Sequence, residues 1–240
     1  MSDSNLRDQI GFYEKHARHF DTSITSLGCR ENRNHSRKIE SVSHAIGLTS
    51  AEAVLEVGTG TGLHAKWILE NTQASYVGLD VSAEMLALAR DRLASWRQRM
   101  RLTIGDGERL PFPDASFSAV FCSGTLHHMQ NPSRGIAELA RVVRPGGRVA
   151  AMEPNWKFPS VLAIAAFVRV ERNTFKINPS ALEQWARSAG LVDVTVKPIL
   201  YTPPRPASLI RFFDRFDAAA ARVPGLRSLS IMLLMSGTRP

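Results

Sequence analysis

Val54-Leu-Glu-Val-Gly-Thr-Gly-Thr-Gly62 decides the fold of this 240-residue chain. The stretch opens as a short apolar strand pattern, passes into three glycines that alternate with threonines, and meets a helical pattern at residues 64–71. Glycines let a loop turn tightly, and a helix N-terminus presents free amides and a partial positive charge to an anion. The sequence therefore predicts a ligand-binding loop between a buried strand and a helix, with a purely structural turn as the alternative.

Strand and helix patterns continue to alternate after this loop. We predict strands at 76–79, 102–104, 119–122 and 148–152, and helices that begin at Ser82 and span 133–143. Such alternation is typical of an α/β fold with a parallel sheet. Beyond Glu153 the sequence predicts an apolar segment at 161–168, a helix from Ser180 to Ala189, and strands at 192–197 and 229–235.

Two aspartates follow the second and third predicted strands. Asp80 ends the run 76–79, and Asp106 comes with Gly107 directly after 102–104. Ligands of open α/β sheets bind at the carboxyl ends of the strands. An ionised carboxylate accepts hydrogen bonds and donates none, so Asp80 can accept hydrogen bonds from both hydroxyls of a ribose. Asp106 can accept one from the amino group of an adenine. A helix-capping role for Asp80 is the alternative.

The chain resembles the class I S-adenosylmethionine-dependent methyltransferases of the small-molecule type, in the ubiquinone/menaquinone methyltransferase-like, type 11, group. The resemblance covers about residues 50–153 and rests on the glycine loop and on four further motifs. They are Val77-Gly-Leu-Asp80, Gly105-Asp-Gly-Glu-Arg-Leu-Pro-Phe-Pro113, Phe117-Ser-Ala-Val-Phe-Cys-Ser-Gly-Thr-Leu-His-His-Met129 and Leu139-Ala-Arg-Val-Val-Arg-Pro-Gly-Gly147. The resemblance implies an enzyme whose cofactor is S-adenosylmethionine, and it is generic beyond Glu153.

The fold that this resemblance implies is an α/β, Rossmann-like one. It has a seven-stranded, mostly parallel sheet with an antiparallel last strand, helices on both faces, and an N-terminal helical lid. We expect a single methyltransferase domain over residues 1–240, with the lid at 1–48 and the cofactor-binding core at 49–153. Residues 154–190 and 198–227 are expected to form insertions on the side of the methyl acceptor.

The resemblance also assigns residues to the cofactor. The glycine loop faces the methionine portion, Asp80 the ribose, Asp106 the adenine, and the backbone near Ser123 the ammonium end. The expected binding residues are Tyr13, Glu56, Gly58, Thr59, Gly60, Gly62, Asp80, Val81, Met85, Asp106, Gly107 and Ser123. Neither cysteine lies in a metal-type Cys/His spacing, so we predict no metal site.

His127 and His128 follow the fourth predicted strand and are the candidate catalytic residues. Imidazole titrates near neutrality, so either could act as a general base on a hydroxyl or an acidic carbon. A structural role for the pair is the alternative, because direct displacement at a sulfonium needs alignment and water exclusion more than it needs a base. Glu153 could either touch the acceptor or cap the segment that follows it.

Residues 208–222 form an amphipathic helical pattern with arginines around an apolar stripe. The helix would either roof the pocket of a small-molecule acceptor or make peripheral contact with anionic lipid. We expect O- or C-methylation of a hydrophobic metabolite. Methylation of a membrane lipid or quinone precursor is the alternative.

The net charge of +8 raises nucleic acid as a rival acceptor. The arginines are dispersed, however, and Cys122-Ser-Gly-Thr125 lacks the aromatic platform on which base-modifying enzymes of similar fold stack a base. A cofactor-fold protein that binds without turnover is a second rival. The polar residues 1–10 and the two cysteines predict a cytoplasmic protein, and the sequence leaves the oligomeric state open.

Overall fold

The computed structural model describes residues 33–199 and 228–240, together with Gly11, Glu14, Lys15, Arg222 and Val223. A seven-stranded sheet forms its centre. The strands are β1 (Ala53–Val57), β2 (Ser75–Asp80), β3 (Met100–Ile104), β4 (Phe117–Ser123), β5 (Val143–Pro154), β6 (Val192–Ile199) and β7 (Met232–Thr238).

The strand order across the sheet is β3-β2-β1-β4-β5-β7-β6. Strands β1 to β5 pair in parallel, whereas β7 runs antiparallel to both β5 and β6. This confirms the predicted Rossmann-like sheet with an antiparallel last strand. The order reverses between β1 and β4, and open α/β sheets bind their ligands at such a switch point.

Helices pack on both faces of the sheet, over two separate buried clusters. The described helices are α1 (Arg33–Ile46), α2 (Leu63–Asn71), α3 (Ala83–Arg92), α4 (Pro132–Val142), α5 (Pro159–Phe167) and α6 (Pro179–Ser188). One cluster contains Ile136 of α4 and Leu182 of α6, and the other contains Ile39 of α1 and Ile68 of α2. No described helix is both long enough and apolar enough to cross a membrane.

Several predicted boundaries are wrong by a few residues. Helix α6 begins at Pro179, because the Asn178 side chain accepts a hydrogen bond from the Ala181 amide at 3.0 Å, so Ser180 is not its cap. Asparagine before proline is a common helix start. Helix α4 spans Pro132–Val142 rather than 133–143, and β5 begins at the next residue. Strand β7 begins at Met232 rather than at 229.

The predicted N-terminal lid lies only partly within the described residues. Helix α1 packs against α2, β5 and β7, and so it covers the sheet beside the glycine loop. Tyr13 and the predicted helix at 208–222, apart from Arg222, fall outside the described residues. A lid role for residues 1–48 therefore stays a prediction, as do the expected boundaries of the core and the insertions.

Gly62 allows α2 and α3 to approach each other. Its φ of 79° lies in the left-handed region that favours glycine. A Cβ on Gly62 would stand 3.1 Å from the Ala89 Cβ and 3.2 Å from Leu93 Cδ1. The missing side chain is therefore required by helix packing as well as by backbone conformation.

Gly62→Ala is expected to lower the free energy of unfolding by about 2–4 kcal/mol, because left-handed strain of about 1–2 kcal/mol adds to overpacking. Gly146→Ala is the matched control, since Gly146 has a φ of 75° but no atom within 4 Å of a built Cβ. Gly146→Ala should lower the free energy of unfolding by the strain contribution alone, about 1–2 kcal/mol. Urea unfolding followed by circular dichroism measures both, and equal losses would contradict the packing role.

Candidate active site

A cavity of about 290 Å³ opens where β1, β2 and β4 end. Its walls come from the glycine loop after β1, from Asp80 and Val81 after β2, and from residues 123–125 after β4. Ligand pockets usually measure about 300–1,000 Å³, so this volume suits a small ligand. The switch point of the sheet thus carries a ligand-sized cavity.

Two backbone amides position Asp80. The Gly60 amide donates to Oδ2 at 2.8 Å, and the Ser82 amide donates to Oδ1 at 3.0 Å. Burial raises the pKa of this carboxyl, and the two hydrogen bonds oppose that effect. The helix cap belongs to Ser82, whose side chain accepts a hydrogen bond from the Met85 amide. Carboxylate oxygens accept more than one hydrogen bond each, so Asp80 keeps acceptor capacity toward the cavity.

Gly60 and Gly124 leave room beside the backbone in the cavity wall. Their φ values are 54° and 65°, and no atom lies within 4 Å of a Cβ built on either. Gly58 serves a different purpose, because its Cβ would stand 2.1 Å from Thr125 Oγ1. It lets the loops after β1 and β4 come together, whereas Gly60 and Gly124 form cradles that side chains would fill.

Glu56 lies buried beneath the glycine loop and does not line the cavity. Its carboxyl group is hydrogen-bonded to the Tyr76 hydroxyl, to Thr59 Oγ1 at 3.2 Å, and to His64 Nδ1 at 2.8 Å. Burial raises the pKa of Glu56 to about 8, against the hydrogen bonds from Tyr76 and Thr59. The residue therefore supports the loop from below, as part of a polar network within the core.

Asp106 also lies outside the cavity wall, although its neighbours Gly105 and Gly107 line it. The Asp106 Oδ1 accepts a hydrogen bond from the Glu108 amide at 2.9 Å, and its backbone bridges to Arg109. These contacts fix the turn after β3. The role of Asp106 toward adenine stays a prediction, and the wall at this point is backbone.

The structure brings most of the predicted site residues to this one cavity. Those that line it are Gly58, Thr59, Gly60, Asp80, Val81, Met85, Gly107, Ser123 and His128. Four others do not line it, namely Glu56, Gly62, Asp106 and His127. Sequence analysis missed other lining residues, among them Lys38, His64, Gly124, Pro154 and Met232.

His127 is buried between two carboxylates. Its Nδ1 lies 2.6 Å from Oε2 of Glu153, and its Nε2 lies 3.1 Å from Oε2 of Glu171. Burial by itself would lower the pKa of His127, but the two carboxylates outweigh burial and raise the pKa to about 9. His127 is therefore a charged imidazolium near neutral pH, and it donates a hydrogen bond from each ring nitrogen.

Glu153 fixes the loop after β4. Its side chain is fully buried, and its Oε1 accepts hydrogen bonds from the Thr125 amide at 3.0 Å and the Leu126 amide at 2.9 Å. Burial would raise the pKa of Glu153, but His127 and these amides lower it. Among the described residues, the hydrogen bonds of its side chain go to the loop after β4, and capping of the segment that follows β5, one of the two roles considered for Glu153, is not observed.

His128 reaches the cavity and its ring lies against His127, with ring centroids 3.9 Å apart. Burial lowers the pKa of His128, and the charge on His127 lowers it further, to about 4. This ring is therefore neutral near pH 7. The two adjacent histidines occupy different charge states because only one of them lies between carboxylates.

His127, His128 and Glu171 offer ligand atoms that all lie within 4.8 Å of one another. Imidazole and carboxylate groups at such spacing can hold a divalent transition metal. The direct contact of 3.1 Å between His127 and Glu171 also balances their charges as an ion pair. The expectation of no metal site stays a prediction.

Lys38 extends from α1 to the cavity wall. Burial lowers the pKa of its ammonium group, and the carboxylate of Glu153 opposes that effect. Lys38 in turn helps to lower the pKa of His64, to about 3, after the larger effect of burial. The Lys38 side chain thus lines the same cavity as the glycine loop, and it comes from a helix that packs against β5 and β7.

Comparison with known proteins places the chain among methyltransferases. Residues 55–151 match the family model described as "Methyltransferase domain". The demethylmenaquinone methyltransferase of Mycolicibacterium paratuberculosis is 31% identical over 205 residues, which cover 80% of this chain and 84% of that protein. The demethylmenaquinone methyltransferase of Deinococcus radiodurans is 37% identical over 131 residues, 54% of this chain and 52% of that protein.

The chain belongs to the class I S-adenosylmethionine-dependent methyltransferases. It spans about half the length of several curated relatives that it matches, including the one from D. radiodurans. Among solved structures, phosphoethanolamine N-methyltransferase 2 of Haemonchus contortus, in complex with S-adenosylhomocysteine, has a TM-score of 0.71 and 18% identity. The alignment covers all of this chain and 61% of that one. The cofactor of this methyltransferase is S-adenosylmethionine.

The residues around the cavity fit this cofactor chemically. Asp80 would accept hydrogen bonds from ribose hydroxyls, and Met85 and Val81 would offer apolar surface to an adenine ring. The Gly60 and Gly124 cradles allow close approach of a ligand to backbone. The Lys38 side chain would lie within reach of a carboxylate in the cavity. The donors and acceptors of the wall thus match the polar groups of an adenosyl amino acid.

The His127 ion pairs should make the stability of the fold depend on pH above neutrality. The pKa of about 9 in the folded chain exceeds that of an unfolded histidine, about 6.5. The contribution is therefore complete below pH ~6.5 and is lost as the pH rises through about 9. His127→Gln should reduce the slope of unfolding free energy against pH between 7 and 10, in urea titrations.

His44→Gln is the control for this pH series, because His44 is exposed on α1. It should keep the wild-type slope. Parallel loss of stability in the wild type and in His127→Gln over the whole range would show that the imidazolium does not carry the effect.

Proposed function

We propose that this chain transfers the methyl group of S-adenosylmethionine to a small, hydrophobic acceptor that lies beside His128. One observation supports this most directly. The cavity that contains Asp80 and the two glycine cradles also contains His128, Pro154 and Met232. Groups suited to the cofactor and groups suited to an apolar acceptor therefore face the same space.

The cofactor supplies an electrophilic methyl group on its sulfonium, so the protein has to align the acceptor and exclude water. Asp80 would hold the ribose and Lys38 the carboxylate. The walls formed by the loops after β1, β2 and β4 would fix the adenosine end. These contacts bind and orient, and none of them requires a change of protonation during the reaction.

We propose that His128 contacts the methyl acceptor and that His127 positions the loop that carries His128. His128 lines the cavity and is neutral, so its ring can accept a proton or a hydrogen bond from the acceptor. A base with a pKa of about 4 is weak. Such a base suits an acidic hydroxyl, such as that of a phenol or quinol, better than an alcohol. His127 holds the loop that carries His128.

O- or C-methylation of a hydrophobic metabolite is the favoured reaction, and a quinone precursor is the second candidate. The names of the relatives from M. paratuberculosis and D. radiodurans favour that second candidate. A nucleic-acid acceptor remains disfavoured by the sequence after β4. We also infer a cytoplasmic location from the free, buried thiol of Cys122, since reducing compartments keep thiols free.

Calorimetric titration with S-adenosylmethionine and with 5′-methylthioadenosine, which lacks the amino-acid portion, tests both ends of the site. Asp80→Asn should weaken both ligands by about 1–3 kcal/mol, since the ribose loses a charged acceptor. Lys38→Met should weaken S-adenosylmethionine alone, by a similar amount of about 1–3 kcal/mol, since only that ligand has a carboxylate. Asp91→Asn and Lys66→Met, at exposed positions, are the controls.

Unchanged affinity in Asp80→Asn would remove Asp80 from the site. Equal weakening of both ligands by Lys38→Met would remove the carboxylate role of Lys38. If the wild type binds neither ligand, the proposed function itself is wrong.

His128→Gln should lower turnover by about 100-fold with unchanged affinity for S-adenosylmethionine, if His128 acts on the acceptor. Turnover is measured as S-adenosylhomocysteine released with a panel of phenols and 1,4-naphthoquinols. His44→Gln is the control. A loss of thermal stability in His128→Gln without a specific fall in turnover would indicate a structural histidine. If the wild type binds the cofactor but releases no product with any acceptor, a non-catalytic binding protein is favoured.

A further inference from the structure

Helix α5 is an apolar helix that faces solvent. Its sequence, Pro159-Ser-Val-Leu-Ala-Ile-Ala-Ala-Phe167, contains no charged residue, and Ala165 is its one buried side chain. Leu162, Ile164 and Phe167 are 42%, 51% and 88% exposed. A helix that is apolar on every side is normally buried, and exposed apolar patches of this kind mark docking sites for another molecule.

Basic side chains border this helix. Lys157 precedes it, and Arg172 and Lys176 belong to the 3-10 segment Arg169–Lys176 that packs against it. All three are exposed. Glu171 is the sole acidic residue in the sequence between 155 and 178, and its contact with His127 directs its charge into the protein. The outward-facing charges of this region are therefore positive.

We propose that α5 and the segment Arg169–Lys176 dock on an anionic lipid bilayer. The apolar side chains would enter the boundary between headgroups and acyl chains, and the cations would meet the lipid phosphates. A second copy of this chain fits the surface less well, because a symmetric contact would bring the same basic residues from both copies together. A helix of nine residues is also far too short to cross the bilayer, so the contact is peripheral.

The docking surface is continuous with the active site. Pro154 lines the cavity and is followed through Trp156 and Lys157 by α5. Glu171, within the docking segment, holds His127 beside His128. A hydrophobic acceptor dissolved in the membrane would thus reach the cavity from the docked side. This consequence rests on the proposed function, whereas the docking itself does not.

Co-sedimentation of the full chain with vesicles tests the docking. In 0.1 M salt, we expect binding to vesicles of phosphatidylcholine with phosphatidylglycerol, weak binding to phosphatidylcholine alone, and release in 0.5 M salt. Arg172→Gln/Lys176→Gln should lower the membrane partition coefficient about 25-fold, since each cation near an anionic surface raises that coefficient about fivefold. Arg97→Gln/Arg101→Gln is the matched charge control, because both arginines are exposed and lie just before and within the edge strand β3.

The apolar contribution is tested by Ile164→Thr/Phe167→Ser, which should lower the partition coefficient by at least about tenfold. Ile104→Thr is its control, because Ile104 is 62% exposed at the end of β3. Titration of each variant with S-adenosylmethionine, away from vesicles, shows whether the fold and the cofactor site remain intact. The vesicle result and the proposed function can therefore fail independently.

Three results would overturn the proposal. The first is no binding of the wild type to anionic vesicles at 0.1 M salt. The second is equal weakening by the α5 variants and by the controls at Arg97, Arg101 and Ile104. The third is a concentration-dependent dimer in light scattering that Ile164→Thr/Phe167→Ser abolishes, since that would assign the surface to a second copy.

Discussion

The buried carboxylate of Glu153 is the group on which the loop after β4, and with it one wall of the cavity, depends. It lies at the end of β5, fully removed from water, and it gathers the amides of Thr125 and Leu126 together with the ring of His127. A buried charge is costly unless it is paired and hydrogen-bonded, so the loop after β4 must adopt the conformation that supplies those donors. The same loop forms one wall of the cavity. Stability and site geometry therefore come from the same contacts.

A second buried carboxyl group supports the opposite wall. Glu56 binds Tyr76, Thr59 and His64 beneath the glycine loop, and its raised pKa of about 8 favours the protonated form near neutral pH. The free-energy cost of burying these two carboxyl groups is thus offset in different ways. Glu153 stays ionised beside an imidazolium, whereas Glu56 becomes neutral within a network of hydroxyl and imidazole groups. Each fixes a loop at the carboxyl end of the sheet, and the cavity lies between those loops.

The segment after β5 joins the site to the protein surface. Glu171 binds His127 in the interior, while its neighbours Arg172 and Lys176 face solvent beside the apolar helix α5. A conformational change at this surface can therefore alter the positions of His127 and His128, because the Glu171 carboxylate connects the surface segment to His127. The hydrophobic acceptor, the weak base and the lipid contact that we propose are mutually consistent, because acidic hydroxyls on apolar rings are poorly soluble in water and partition into membranes.

The sequence by itself determined the order of strands and helices, the positions of the loop glycines, and the placement of Asp80, because hydrophobic periodicity and backbone freedom are local properties. Only the tertiary structure decided which of His127 and His128 faces the cavity, which carboxylates are buried, and that Lys38 reaches the site. Those outcomes depend on contacts between residues far apart in the chain, such as Glu171 with His127 and α1 with the glycine loop. Burial and charge pairing at such contacts arise only when the sheet has assembled, so no local pattern encodes them.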